Sequence, residues 1–146
     1  MKIAKLGEIG LIRKIASKTR LFSKDVVKGI GDDTAVVKFD KEKYLLLTTD
    51  TLVEDDHFNL AWFTPEQIGS KAIESNVSDI ASMGGFPSYA LISLVLPKNI
   101  SVDFIDKLYD GMNNVVKKYK VSIIGGNIAS GKKISITITL VGFVEK

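Results

Sequence analysis

Residues 64–85, "TPEQIGSKAIESNVSDIASMGG", decide how the chain folds. Thr64 is an N-cap candidate, Pro65 suits the first helical position, and Gln67 completes a capping box. Gly84 and Gly85 supply a stop, and Pro87 follows. At about 100° per residue, Ile68, Ala72, Ile73, Val77, Ile80 and Met83 gather on one side. Lys71, Glu74, Ser75, Ser78 and Ser82 gather opposite. Asn76 and Asp79 break the pattern by falling on the apolar side. An unpaired buried carboxylate is costly. Asp79 therefore has a hydrogen-bonding partner in the core, or it faces a wet cleft or a cation.

Working outward, "TAVVKF" (Thr34–Phe39) and "YLLLTT" (Tyr44–Thr49) read as strands, and the polar "DKEK" between them reads as a hairpin turn. "GEIGLIRKIAS" (Gly7–Ser17) reads as a short amphipathic helix through Ile9, Ile12, Ile15 and Ala16. Downstream, "YALISLVL" (Tyr89–Leu96) reads as a buried strand. A second helix follows, with Ser101 as its cap and Phe104, Leu108, Met112, Val115 and Tyr119 on one face. "VSII" (Val121–Ile124) reads as a short strand. "ISITITLVGFV" (Ile134–Val144) alternates, with Ile134, Ile136, Ile138 and Leu140 on one side and Ser135, Thr137 and Thr139 on the other. The order predicts an α+β domain over residues 1–146, with helices on one face of a mixed or antiparallel sheet. The other face is apolar in places, and a second copy of the domain could cover it.

The 146 residues suit one domain, and the 45% hydrophobic and 25% charged content is ordinary for a globular chain. The net charge of +3 comes from scattered lysines, and Lys117, Lys118 and Lys120 sit where a helix C-terminus attracts them. This pattern carries no nucleic-acid stripe. The absence of cysteine removes disulfides, thiolate metal sites and cysteine nucleophiles, and it is consistent with a cytoplasmic location. No stretch reaches the roughly 20 apolar residues of a membrane span, and the N-terminal residues lack a signal-peptide core.

Oxygen ligands cluster in two places. "GIGDDTAVV" (Gly29–Val37) puts Asp32 and Asp33 at the mouth of a strand, where like charges need a counter-charge. "LLLTTDTLVEDDHF" (Leu45–Phe58) ends the second hairpin strand with Thr48, Thr49, Asp50 and Thr51. An antiparallel hairpin brings the start of one strand beside the end of the next. Asp32, Asp33, Asp50 and the threonine hydroxyls can thus share one corner. They form either a solvated rim or a hard-oxygen cluster that favours Mg²⁺ over zinc. His57, the only histidine, is either structural or a phosphate contact, and Glu54, Asp55 and Asp56 read as a solvated loop.

Gly126–Lys132 spells G-x-x-x-x-G-K, but Lys133 stands where a P-loop needs Ser or Thr, and a strand pattern follows where a helix is required. A P-loop is rejected. Gly125 and Gly126 still permit close backbone approach to phosphate, and "NIASGKK" reads as a hairpin turn.

Taken in order, "GIGDDTAVV", "LLLTTDTLVEDDHF", "IGSKAIESNVSDIASMGGFP" and "IIGGN" resemble the thiamine-monophosphate kinase family. That family lies within the aminoimidazole-ribonucleotide-synthetase-like ATP-binding superfamily, and the likeness runs from about Gly7 to Val144. The resemblance implies transfer of the ATP γ-phosphoryl to thiamine monophosphate with Mg²⁺ between the phosphates. It implies metal ligands at Asp33, Thr48, Thr49, Asp50 and Asp79, with Asp32 close by. It also implies a substrate contact at His57 and nucleotide contacts at Gly125, Gly126, Asn127 and Tyr109. No side-chain nucleophile is implied. A homodimer closing a β-barrel from two such domains is implied as well. The family usually has Asp where Asn127 stands, which weakens one metal site. It also has a second α/β domain after the position of Lys146, so the chain resembles an N-terminal domain. The alternatives are a non-catalytic dimerisation or nucleotide-binding module, or a sister enzyme acting on another small substrate.

Overall fold

The computed structural model describes residues 3–146. Its elements in chain order are α1 (Ile3–Lys18), β1 (Val26–Lys28), β2 (Ala35–Lys38), β3 (Lys43–Val53), α2 (Pro65–Ser82), β4 (Phe86–Leu96), α3 (Val102–Tyr119), β5 (Ser122–Ser130) and β6 (Ser135–Glu145). The strands form one mixed sheet in the order β1-β2-β3-β6-β4-β5. All neighbours are antiparallel except β4 and β5, which run parallel across the α3 crossover.

Local chemistry explains α2 at both ends. The Thr64 hydroxyl accepts from the Gln67 amide at 3.2 Å, and the Gln67 side chain accepts from the Thr64 amide at 2.9 Å. At the far end Gly84 adopts a left-handed φ of 73°, which glycine does without penalty. The Gly84 amide then donates to Ala81 and the Gly85 amide to Ile80, capping carbonyls that would otherwise be orphaned. α3 is capped by Ser101, whose hydroxyl accepts from the Phe104 amide at 3.1 Å. Lys117 and Lys118 occupy its last turn, where the macrodipole favours them.

The core lies between the sheet and the α2–α3 pair. Even-numbered Leu46, Leu52, Ile134, Ile136, Ile138 and Leu140 meet Ile68, Ile73 and Ile80 of α2 and Leu108 and Met112 of α3. The two helices approach closely because Gly69 and Gly111 lie at their contact. A Cβ on Gly111 would stand 1.9 Å from the Glu66 carbonyl, and one on Gly69 would stand 2.0 Å from the Leu108 carbonyl.

Four expectations change. β5 continues through Gly125–Ser130 and pairs with β4, so "NIASGKK" is not a hairpin turn. β6 instead inserts between β3 and β4, where its alternation buries one face against the helices. β3 runs on to Val53, which places Asp50 inside the strand opposite Ile138 rather than at its end. β1 is an additional three-residue strand. Finally, α1 is interrupted at Gly7 (φ 70°) and buries no residue. It borders a cavity whose sheet wall includes Ala35, Val37, Leu47 and Thr49, so it stands apart from the α2–α3 layer.

Candidate functional site

Two places gather the residues singled out from the sequence. The first is the end of α2 above β3. Strand alternation puts Thr48 and Asp50 on the helix-facing side with Leu46 and Leu52. The Thr48 hydroxyl donates to Asp79 Oδ2 at 2.9 Å. One turn further along α2, the Ser82 hydroxyl reaches Asp33 Oδ2 at 2.8 Å and the Asp79 carbonyl at 2.8 Å. Asp79 is half-buried, and that burial pushes its pKa up. The charges of Asp50 and Asp33 push it further, and only the Thr48 hydrogen bond opposes them. Carboxylates from β2's mouth and from β3 therefore both act on the carboxylate of α2. Among the described residues, no three acidic or imidazole groups close into a complete metal cage.

Two of the expected ligands turn elsewhere. Asp32 pairs with Lys28 at 2.5 Å and accepts from the Asp33 amide at 3.0 Å, and both contacts hold its carboxyl below the ordinary range. Thr49 lies on the opposite sheet face, where its hydroxyl meets Thr139 Oγ1 and the Ile138 carbonyl, each at 3.1 Å. Its side chain does not join the Thr48–Asp79 group, because adjacent strand residues point to opposite faces. His57 also sits apart. Its Nδ1 accepts from the Val53 amide at 3.1 Å, which makes Nε2 the protonated nitrogen. The Asp56 carboxylate 3.3 Å from the same Nδ1 is then a neighbour rather than an ion-pair partner. The His57 carbonyl accepts from Lys71 Nζ at 2.6 Å.

The second place is a cavity of about 450 Å³ lined by Ile92, Tyr109, Gly125, Gly126, Asn127 and Ile128. All four residues expected on the nucleotide side line it. Gly125 and Gly126 belong to the exposed edge strand, and a Cβ on Gly126 would stand 1.7 Å from the Ile92 carbonyl. Only glycine allows that approach. Tyr109 is half-buried, and burial pushes its phenol pKa up, so it stays neutral.

Sequence reasoning missed Ser82 as a partner of the acids. Its position three residues after Asp79, one helical turn on, was the available signal.

Comparison with known proteins identifies the family. The family described as AIR synthase related protein, N-terminal domain, matches residues 31–144. The chain belongs to this family. The match takes in Asp33, Asp50 and Asp79 as well as the Gly125–Asn127 edge. The domain is also 46% identical to thiamine-monophosphate kinase of Aquifex aeolicus over all of its 146 residues, which is 45% of that protein. It is 39% identical to the Bacillus subtilis thiamine-monophosphate kinase, covering 97% of the chain and 43% of the relative. Among solved structures, one described as AaThiL complexed with AMPPCP and TMP superposes with a TM-score of 0.89 at 44% identity. That match covers the whole chain and 45% of the solved one. A HypE–HypF complex shares the fold, with a TM-score of 0.69 at 19% identity over 92% of this chain and 42% of that one. The domain thus spans under half the length of the curated relatives it matches.

Proposed function

We propose that this domain is the N-terminal part of a thiamine-monophosphate kinase, binding Mg²⁺ and ATP for phosphoryl transfer to thiamine monophosphate. The single observation that carries the reading is the meeting of Asp79 with Thr48 and with the charges of Asp33 and Asp50. The donor set fits Mg²⁺. It is oxygen-only, it is self-repelling, and His57 is occupied elsewhere. Mg²⁺ is usually held by one or two carboxylates plus substrate phosphates, so an incomplete protein cage suits it. Asp33, Asp50 and Asp79 would hold it. Bound there, it would neutralise the facing phosphates of nucleotide and acceptor.

The chain's own residues supply position rather than covalent chemistry. Thr48 fixes one oxygen of Asp79 and leaves the other free to face the cleft. The Gly125–Gly126 edge admits a nucleotide close to backbone, with the Tyr109 ring as one wall. His57 Nε2–H is a donor available to an acceptor phosphate. The acceptor's terminal phosphate oxygen attacks the γ-phosphorus, the bond from the γ-phosphorus to the β-bridging oxygen breaks, and ADP leaves.

The sheet face away from α2 supports a homodimer. Tyr89 and Leu91 on it are 44% and 43% exposed, and Leu47 and Val141 lie on the same face. A second copy would cover this face and complete a barrel. No described helix is long and apolar enough to cross a membrane, and we place the enzyme in the cytoplasm.

The test is ATP-dependent conversion of thiamine monophosphate to the diphosphate by the full-length protein. Asp50→Ala and Asp79→Ala should each abolish turnover with native circular dichroism. Normal turnover in both would end the reading.

A further inference from the structure

We propose that Ser82 is the positioning residue that holds the Asp33 carboxylate beside Asp79. The inference rests on the reading of these carboxylates as magnesium ligands. Asp33 follows a turn that has little holding it. Gly31 has a φ of 121° and no heavy atom within 4 Å of where its Cβ would be. Asp32 is committed to Lys28. Among the described residues, the one side chain that bonds the Asp33 carboxylate is Ser82, 49 positions away in the chain, at 2.8 Å. The Asp79 carboxylate lies near enough for the two charges to repel. With Ser82 removed, no other described side chain holds the Asp33 carboxylate against that repulsion beside the Gly31 turn.

The chemistry of a hydroxyl suits this task. Ser82 Oγ carries one hydrogen and has two acceptors at 2.8 Å, the Asp33 carboxylate and the Asp79 carbonyl. When a cation takes Asp33, the hydroxyl turns its hydrogen to the carbonyl and loses no partner. It can therefore keep Asp33 in place and then release a lone pair without leaving an orphaned donor. Ser82 is exposed, so the methyl of threonine fits there, and a threonine hydroxyl also bonds the carbonyl three residues back.

The experiment uses the 146-residue chain with two readouts. One is hydrogen exchange at the Gly31, Asp32 and Asp33 amides without metal, and the other is the affinity for Mn²⁺ alone by electron paramagnetic resonance. Ser82→Ala, in an exposed helix position that favours alanine, should fold normally. It should speed exchange at the three amides and weaken Mn²⁺ binding, each about threefold to tenfold, the scale of one exposed charge-assisted hydrogen bond. Ser82→Thr should restore both. Unchanged exchange in Ser82→Ala overturns the proposal, whatever happens to Mn²⁺, and so does a Ser82→Thr variant that behaves like Ser82→Ala. If the unaltered chain takes up no Mn²⁺ but Ser82→Ala still speeds exchange and Ser82→Thr restores it, the tether stands and the magnesium reading falls.

Discussion

Replacing Gly111 by alanine should drive α2 and α3 apart. The added Cβ would lie 1.9 Å from the Glu66 carbonyl oxygen, 2.6 Å from its carbon and 2.7 Å from its Cα. These are backbone atoms, so no rotamer change relieves them. Ordinary contact begins near 3.4 Å, and the helices must retreat by about 1.5 Å. Overpacking of this kind costs about 3 kcal/mol. Alanine returns about 1 kcal/mol in helix propensity. The net loss of about 2 kcal/mol should lower the melting temperature by about 6–8 °C for a chain of this size. Thermal and urea denaturation measure it. Asn113→Ala, on the exposed side of the same helix, serves as the propensity control and should be neutral or slightly stabilising. Gly69→Ala meets the same contact from the other side, so the double variant should lose less than the sum of the singles. A Gly111→Ala variant as stable as the parent would show that the helices do not approach this closely.

Asp79→Asn should stabilise the metal-free chain near neutral pH. The folded pKa of Asp79 is raised, by burial first and then by Asp50 and Asp33, so the folded chain holds the proton more tightly than the unfolded one. Stability therefore falls as pH rises from the unfolded carboxyl range through the raised pKa, and the cost is fully present above it. Urea denaturation in chelator should show the advantage of Asp79→Asn at about pH 7 and its loss near pH 3; a difference independent of pH would contradict the assignment. Thr48→Val removes the hydroxyl that Asp79 accepts from, and it should cost about 1–2 kcal/mol in urea denaturation at neutral pH. An unchanged midpoint would mean that water replaces the bond. Thr64→Ala removes the α2 cap and should cost about 1 kcal/mol, with no change expected at the acids 15 residues along the helix.

Much of the fold was legible where the signals are local. The Thr64–Gln67 box, Pro65 and the Gly84 stop bound α2 within a residue or two, because capping is settled by neighbours in sequence. The pairing of β2 with β3 followed from a short polar turn. The place of β6 was not legible. Its partners β3 and β4 are distant in sequence, and strand alternation reports a buried face without naming a neighbour. β5 was read too short because Gly125, Gly126 and Asn127 depress the strand signal, and as an edge strand it needs no apolar alternation. At the site, hairpin geometry pointed to Asp33 and Asp50 sharing a corner. The approach of Asp79 to both was implied only by the family resemblance, because helix spacing marks Asp79 as out of pattern without naming its neighbours. The turning-away of Thr49 was also available, since period two separates it from Thr48 and Asp50. The Asp32–Lys28 pair was not, because it depends on the path of a glycine-rich turn.

Paramagnetic broadening by Mn²⁺ in the 146-residue chain tests the central claim most directly. Sub-stoichiometric Mn²⁺ should broaden amide signals in three separated stretches at once, around Asp33, around Thr48–Asp50 and around Asp79–Ser82, while Asp103 and Asp106 on α3 stay sharp. Broadening confined to the Asp55–Asp56 loop or spread evenly over surface acids would contradict it. In that case the meeting of strand and helix carboxylates would be an architectural detail without a cation to hold.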